Sequence, residues 1–244
     1  RKSPKDPFTH GTDGQAENHL PDPATPLCGR HAVELIIDTV KANPGEVYIL
    51  CTGPMSNVAM AMKKAPEIKS MIAGIYAISG AFGLNRYAYA NATGDTPQSE
   101  WNVYVDPEAA DIVYNSGVKL VALGLDVATH FDVNLTDGDI HMLEQSDKPE
   151  AKFFLQAIRF VNQRGFEAYC AVIDCMAVGY AIDPELVTTI TGRVGIETKD
   201  GLTLGMTVLD SRHHFVWETL PEGEIGESAD YEGFLKLLMK LVLA

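Results

Sequence analysis

Apolar residues recur along this chain in two alternating rhythms, each of which predicts its own element. Over residues 29–43, Val33, Ile36, Ile37 and Val40 repeat at helical spacing until Pro44-Gly45 stops the run. The next segment, Val47-Tyr48-Ile49-Leu50-Cys51, is a short unbroken apolar run closed by Thr52-Gly53-Pro54, the pattern of a strand covered on both faces. Pro54 opens a second helix reaching about Lys64. The alternation continues with a strand over 74–79, a helix over 107–115, a strand over 118–125 and a long helix over 150–164. Further on, 193–197 and 203–209 flank Lys199-Asp200-Gly201, a hairpin-type turn signal, and a last helix spans 231–243. Strands alternating with helices imply right-handed crossovers between parallel strands. The expected fold is an α/β domain with an open, mainly parallel sheet flanked by helices, plus a small C-terminal β-hairpin.

Such sheets bind ligands beyond the carboxyl ends of their strands, where helix N-termini present free N–H groups. Polar clusters that follow strands are therefore the candidate site, and three stand out. The first, Thr52-Gly53-Pro54-Met55-Ser56-Asn57, is accounted for on its own as a turn into a helix, with a flexible glycine, a first-turn proline and a polar cap. The second lies in 94–110, where Asp106-Pro107 reads as a helix cap followed by a first-turn proline. Glu100 and Asn102 in the same stretch share one face if extended, and offer a charged acceptor beside an amide that both donates and accepts. That pair suits sugar hydroxyls, and a solvated polar loop is the competing reading. The third is Asp174, an acid inside the apolar run Val172 to Val178, which has to be compensated either as a helix cap or as a cation ligand.

Composition narrows the partners. With 244 residues, 46% of them apolar, one domain with one sizeable core is expected. A net charge of −14 and a pI near 4.8 argue against nucleic acid or anionic membranes as partners. Cys28, Cys51, Cys170 and Cys175 are scattered without zinc or redox spacing, which suits a reducing compartment. No apolar run reaches membrane-span length and no signal peptide opens the chain, so a soluble, cytoplasmic protein is expected. The opening Arg1-Lys2-Ser3-Pro4, without an initiating methionine, is that of a processed or incompletely represented protein.

Taken in order, these segments resemble the inosine-uridine-preferring nucleoside hydrolase family. The resemblance rests on His10-Gly11-Thr12-Asp13-Gly14, Thr52-Gly53-Pro54-Met55-Ser56-Asn57-Val58-Ala59, Ser79-Gly80-Ala81-Phe82, the stretch 96–110, Leu125-Asp126-Val127, Asp174 with Ala177-Val178, Ile182-Asp183-Pro184-Glu185, and Gly205-Met206-Thr207-Val208. It implies hydrolysis of the N-glycosidic bond of ribonucleosides with a calcium ion as cofactor. In that scheme Thr52 lends its backbone carbonyl to the metal and Asp174 a carboxylate, both hard oxygen donors suited to calcium. Glu100 and Asn102 hold ribose hydroxyls, Ile78 lines the ribose pocket where the family usually has methionine, and His10 matches a pocket-side histidine that reads equally well as structural. The resemblance also implies a homodimer or homotetramer.

Three departures limit the match. The family's aspartate-rich strand and loop, which carry the water-activating base and most metal ligands, are not found in this sequence. No catalytic base can therefore be assigned in this chain, which as given should be inactive or nearly so. The alternative is a non-catalytic nucleoside-binding or assembly subunit. Ile173 stands where many members have the histidine that protonates the leaving base, and isoleucine transfers no proton. Tyr87 and Tyr89 are candidates to reach a base in a closed state, or else plain surface residues. Finally, Asp95 stands near the family's asparagine at the ribose 5′ side, a role that Asn91 could also take.

Overall fold

The computed structural model describes residues 7–244. Its sheet has six strands, β1 (Val47–Cys51), β2 (Ile72–Ile78), β3 (Leu120–Leu123), β4 (Val187–Ile196), β5 (Thr207–Asp210) and β6 (Glu222–Ala229), in the order β1-β2-β3-β6-β4-β5. The first four in that order run parallel, and β4 lies antiparallel to both β6 and β5. The expected hairpin exists but is part of this sheet, because β6 inserts between β3 and β4 and joins the two halves.

Period-two alternation assigns the strand residues to two cores. Ile75, Ala77, Leu120 and Ala122 face helices Ala32–Ala42, Ser56–Lys64 and Pro107–Tyr114. Tyr76, Ile78, Val121 and Leu123 face the other way, against helices Asp137–Gln145, Pro149–Gln163, Cys175–Ile182 and Tyr231–Val242. At the outer strand β1 the second face is thinly covered: Tyr48 is 51% and Leu50 37% exposed. Among the described residues none is long and apolar enough as a helix to cross a membrane.

Two expected elements shift at their ends for local reasons. The helix foreseen from Pro54 begins at Ser56, whose hydroxyl bonds the carboxylate of Asp106, the cap of the neighbouring helix Pro107–Tyr114. The strand foreseen over 118–125 is only Leu120–Leu123, because Gly124 turns the chain and the Leu125 N–H is taken by the Gly80 carbonyl at 2.9 Å.

That turn depends on glycine. Gly80 has φ +91°, and a Cβ there would lie 2.6 Å from the Phe82 ring, so only glycine lets the chain double back directly after β2. Below it, the Thr207 hydroxyl at the start of β5 both accepts from the Ala81 N–H (3.0 Å) and donates to the Ala81 carbonyl (2.8 Å). The hairpin thereby buttresses the loops at the carboxyl edge of the sheet.

Candidate active site

Those loops enclose a cavity of about 480 Å³, within the range of small-molecule sites. Its walls come from the carboxyl ends of three parallel strands (Thr52, Gly53 and Pro54 after β1, Ile78 on β2, Leu125 after β3), from 90–93 and 100–102, and from 166–174, with Thr9 and His10 at the rim. This is where an open parallel sheet is expected to bind ligand.

Glu100 is buried, 3% exposed, and caps helix Trp101–Val105. Its Oε1 accepts from the Asn102 N–H at 2.7 Å, and its Oε2 from the N–H groups of Val103 at 3.1 Å and Gly80 at 3.3 Å. Three of the roughly four acceptor sites of a carboxylate are thus filled by backbone, leaving one for a ligand. Glu100 and Asn102 reach the cavity together, though not as an extended pair: Glu100 is the extended cap and Asn102 lies in the first helical turn. The Asn102 side-chain amide donates to the Ile78 carbonyl at 3.0 Å, which fixes its orientation and leaves its oxygen and second N–H available.

Burial pushes the Glu100 carboxyl up to about 7, against the pull of its three N–H donors and with a further upward push from the Asp174 charge. Because the folded value lies above the ordinary 4.5, folding favours the protonated acid. That contribution is complete below about pH 4.5 and is lost as pH rises through about 7, amounting to about 3 kcal/mol. Difference infrared spectra of the ligand-free protein should therefore show a protonated-carboxyl band that disappears with a midpoint near pH 7 and is missing in Glu100→Gln. Disappearance near pH 4.5 would contradict this reading of the burial.

Asp174 sits at the start of helix Cys175–Ile182, yet makes no side-chain cap bond, which removes the cap reading of this acid. Its surface opens into the cavity while protein surrounds it closely enough for desolvation alone to push its carboxyl up to about 6. Among the described residues no cation pairs with it. An uncompensated carboxylate in a cavity wall suits a cation ligand. Thr52, exposed at the end of β1, lines the same cavity.

These two oxygen donors fit calcium in kind but not in number, since that ion takes six to eight oxygens. Among the described residues, the group of metal-type side chains that does converge is Asp13, Glu17 and His19, outside the cavity lining. Its acids are occupied in shaping their own loop: Asp13 accepts from the N–H groups of Gln15, Glu17 and His19, and Glu17 from Thr12.

The remaining expected residues divide. His10 and Ile78 line the cavity, Ile78 as a nearly buried apolar floor. Asp95 does not: the tight turn in which the Gly94 N–H donates to the Ser99 carbonyl at 3.0 Å leaves it exposed, and Asn91 stands in the wall instead. The Asn91 amide is anchored on the Thr129 carbonyl at 3.0 Å. Tyr87 packs against His130 and Phe131 at ring distances of 4.7 and 5.6 Å, and neither Tyr87 nor Tyr89 lines the cavity. Not foreseen from sequence are Trp101, Phe166, Tyr169 and Cys170 in the walls. The three-residue spacing of Phe166 and Tyr169 just after a long helix was the available signal.

A grip for hydroxyls beside an uncompensated carboxylate is what a hydrolase of a small, hydroxyl-rich substrate requires. The chain belongs to the inosine-uridine preferring nucleoside hydrolase family, whose pattern it matches over residues 1–236. This makes it a ribonucleoside hydrolase, an enzyme of the glycosidase class that cleaves the N-glycosidic bond of ribonucleosides. Among its relatives, the pyrimidine-specific ribonucleoside hydrolase RihA of Salmonella paratyphi C (strain RKS4594) is 34% identical over 235 residues, 94% of this chain and 71% of the relative. The purine-preferring ribonucleoside hydrolase from Gardnerella vaginalis superposes with a TM-score of 0.79 at 30% identity, covering 97% of this chain and 72% of that one. The plant nucleoside hydrolase PpNRh1 gives a TM-score of 0.83 at 26% identity, covering 100% and 76%.

Proposed function

We propose that the cavity holds a ribonucleoside with its ribose on Glu100 and Asn102 and a calcium ion against the Asp174 carboxylate and the Thr52 carbonyl. The observation that carries this reading is Asp174, a carboxylate in the cavity wall that, among the described residues, makes no side-chain hydrogen bond or ion pair. Calcium, when bound, would orient a water and lower its pKa. The chain's own part is to hold the sugar: the buried Glu100 and the oriented Asn102 fix its hydroxyls, and the apolar floor at Ile78 and Leu125 excludes bulk water. Hydrolysis passes through an oxocarbenium-like ribose, so an acceptor held next to the hydroxyls also steadies developing positive charge.

The base that takes the water's proton, and the further metal oxygens, come in this reading from polypeptide beyond the described residues. A strand added parallel to β1, the outer strand of the sheet, would deliver its carboxyl end beside Thr52. The reading carries with it a single domain and a cytoplasmic homodimer or homotetramer, supported by the family resemblance and by four free thiols. The competing reading, a non-catalytic nucleoside-binding subunit, is favoured because no converging group of three metal-type side chains includes Asp174 among the described residues. Calorimetric titration with a nucleoside, with and without calcium, separates them. Binding that strengthens about tenfold or more with calcium supports the hydrolase site, and binding indifferent to calcium supports the subunit.

A further inference from the structure

Of the three backbone N–H groups that hold the Glu100 carboxylate, those of Asn102 and Val103 belong to the helix that Glu100 itself caps. The third, on Gly80, comes from the turn after β2, so its place beside Glu100 is not set by the local chain. It is set from 126 residues beyond Ala81, where the Thr207 hydroxyl accepts from the Ala81 N–H and donates to the Ala81 carbonyl. A hydroxyl bonded in this way fixes both peptide units that flank Ala81, and the Gly80 N–H is the next group along the chain. Ala81 and Thr207 are both buried, so water does not stand in for either bond.

The residues before Thr207 hold the other side of Glu100. The Leu204 carbonyl accepts from the Thr96 hydroxyl at 2.7 Å, and Met206 forms an antiparallel bridge with Ser99, the buried residue that leads into Glu100. Between them Gly205, at φ +77°, lies so near the helix that Glu100 caps that a Cβ would stand 2.8 Å from the Tyr104 Cα. The segment is clamped in turn: the Gly205 N–H donates to the Glu197 carbonyl and the Glu197 N–H to the Met206 carbonyl, both at 2.9 Å. None of residues 204–207 lines the cavity. Four consecutive residues outside the cavity thus reach the turn opposite Glu100, the chain before it and the helix after it.

We propose that Thr207 is a positioning residue for the ribose grip: through Ala81 its hydroxyl keeps the Gly80 N–H on Glu100, while Leu204 and Met206 keep the incoming chain in register with it. The inference rests on the ribonucleoside hydrolase reading with the ribose on Glu100. Valine at 207 keeps the shape and removes the hydroxyl, which strands the Ala81 N–H and carbonyl and frees the 80–82 turn to shift. A small displacement of a group that must meet a sugar hydroxyl in the transition state is costly to turnover.

The test is a double-mutant cycle on kcat/KM for inosine with calcium present. Thr207→Val is expected to lose about 30-fold, Thr207→Ser to stay within about threefold of wild type, and Thr207→Val to cost less than about threefold once Glu100→Ala has removed the carboxylate. Thr96→Val, which leaves the Ala81 bonds intact, is the second variant should Thr207→Val not fold; it should lose about tenfold, again only when the Glu100 side chain is present. Similar losses with and without that side chain would show a merely structural role and overturn the proposal, as would a serine variant as poor as the valine one or no loss at all. A wild type that neither binds nor hydrolyses inosine would instead overturn the hydrolase reading on which the proposal rests.

Discussion

Asp174→Asn is expected to lower kcat/KM for nucleosides by about three orders of magnitude, or about 4 kcal/mol of transition-state stabilisation. The substitution keeps the size and removes the charge. If the carboxylate served the fold, losing it would destabilise the protein. It makes no cap bond, though, and desolvation alone raises its pKa, so in the absence of metal it is a cost to the folded state. The metal-free variant should therefore be as stable as wild type or slightly more so, while its response to calcium disappears. Kinetics with a calcium titration and a urea melt with chelator check both halves. A variant that is destabilised and retains calcium-dependent turnover would contradict the assignment.

Asp126→Ala is expected to destabilise the protein by about 3 kcal/mol and to raise KM about tenfold. Asp126 is fully buried, and its carboxylate accepts from the N–H groups of Phe82 at 2.8 Å and Leu84 at 2.7 Å. Its carbonyl also accepts from the Asn85 amide at 2.6 Å. Removing the side chain strands two backbone donors, each costing about 1–3 kcal/mol when left unsatisfied away from water. The kinetic effect follows from position: the segment these bonds hold runs on through 85–90 to Asn91 and Thr93, which stand in the cavity wall. Asp126→Asn keeps one acceptor and should fall between. Urea denaturation at neutral pH measures it, and a loss below about 1 kcal/mol in the alanine variant would show that water replaces the lost acceptor.

Asp126 also shows what the sequence did and did not disclose. It stands inside an apolar run, as Asp174 does, and an acid in such a run has to be compensated. The Leu125-Asp126-Val127 piece was visible as part of an ordered resemblance, but its role as a clamp is fixed by the backbone of 82–84, and no periodicity reveals a partner 42 or 44 residues away. By contrast β1, β2 and helix Ala32–Ala42 were legible because each carries its own complete apolar signature. Strand β6 was not: Glu222 to Ala229 holds one large buried apolar residue, Ile225, among glycines and acids, and is made a strand by pairing with β3 and β4.

The site followed the same division. Glu100 and Asn102 were readable as a donor and acceptor set, although their geometry came from a helix cap and not from an extended strand. Asp95 stands outside the cavity because loop path, and not residue type, decides which side chains face it, and of the two readings open for Tyr87 and Tyr89 their place outside the lining fits the one without a ligand contact. Tyr169 and Cys170 went unnoticed for the converse reason. They occupy a short irregular turn, Ala168–Ala171, and gain meaning only when it is folded against the carboxyl edge of the sheet.

Cleavage of ribonucleosides by this fold is expected to need a metal held at Asp174. Release of ribose from inosine and uridine, measured as reducing sugar with calcium present and again after chelation, tests it most directly. The expected result is release that stops on chelation and returns with calcium. Release unaffected by chelation would contradict the metal assignment, and no release with calcium present would contradict the hydrolytic function.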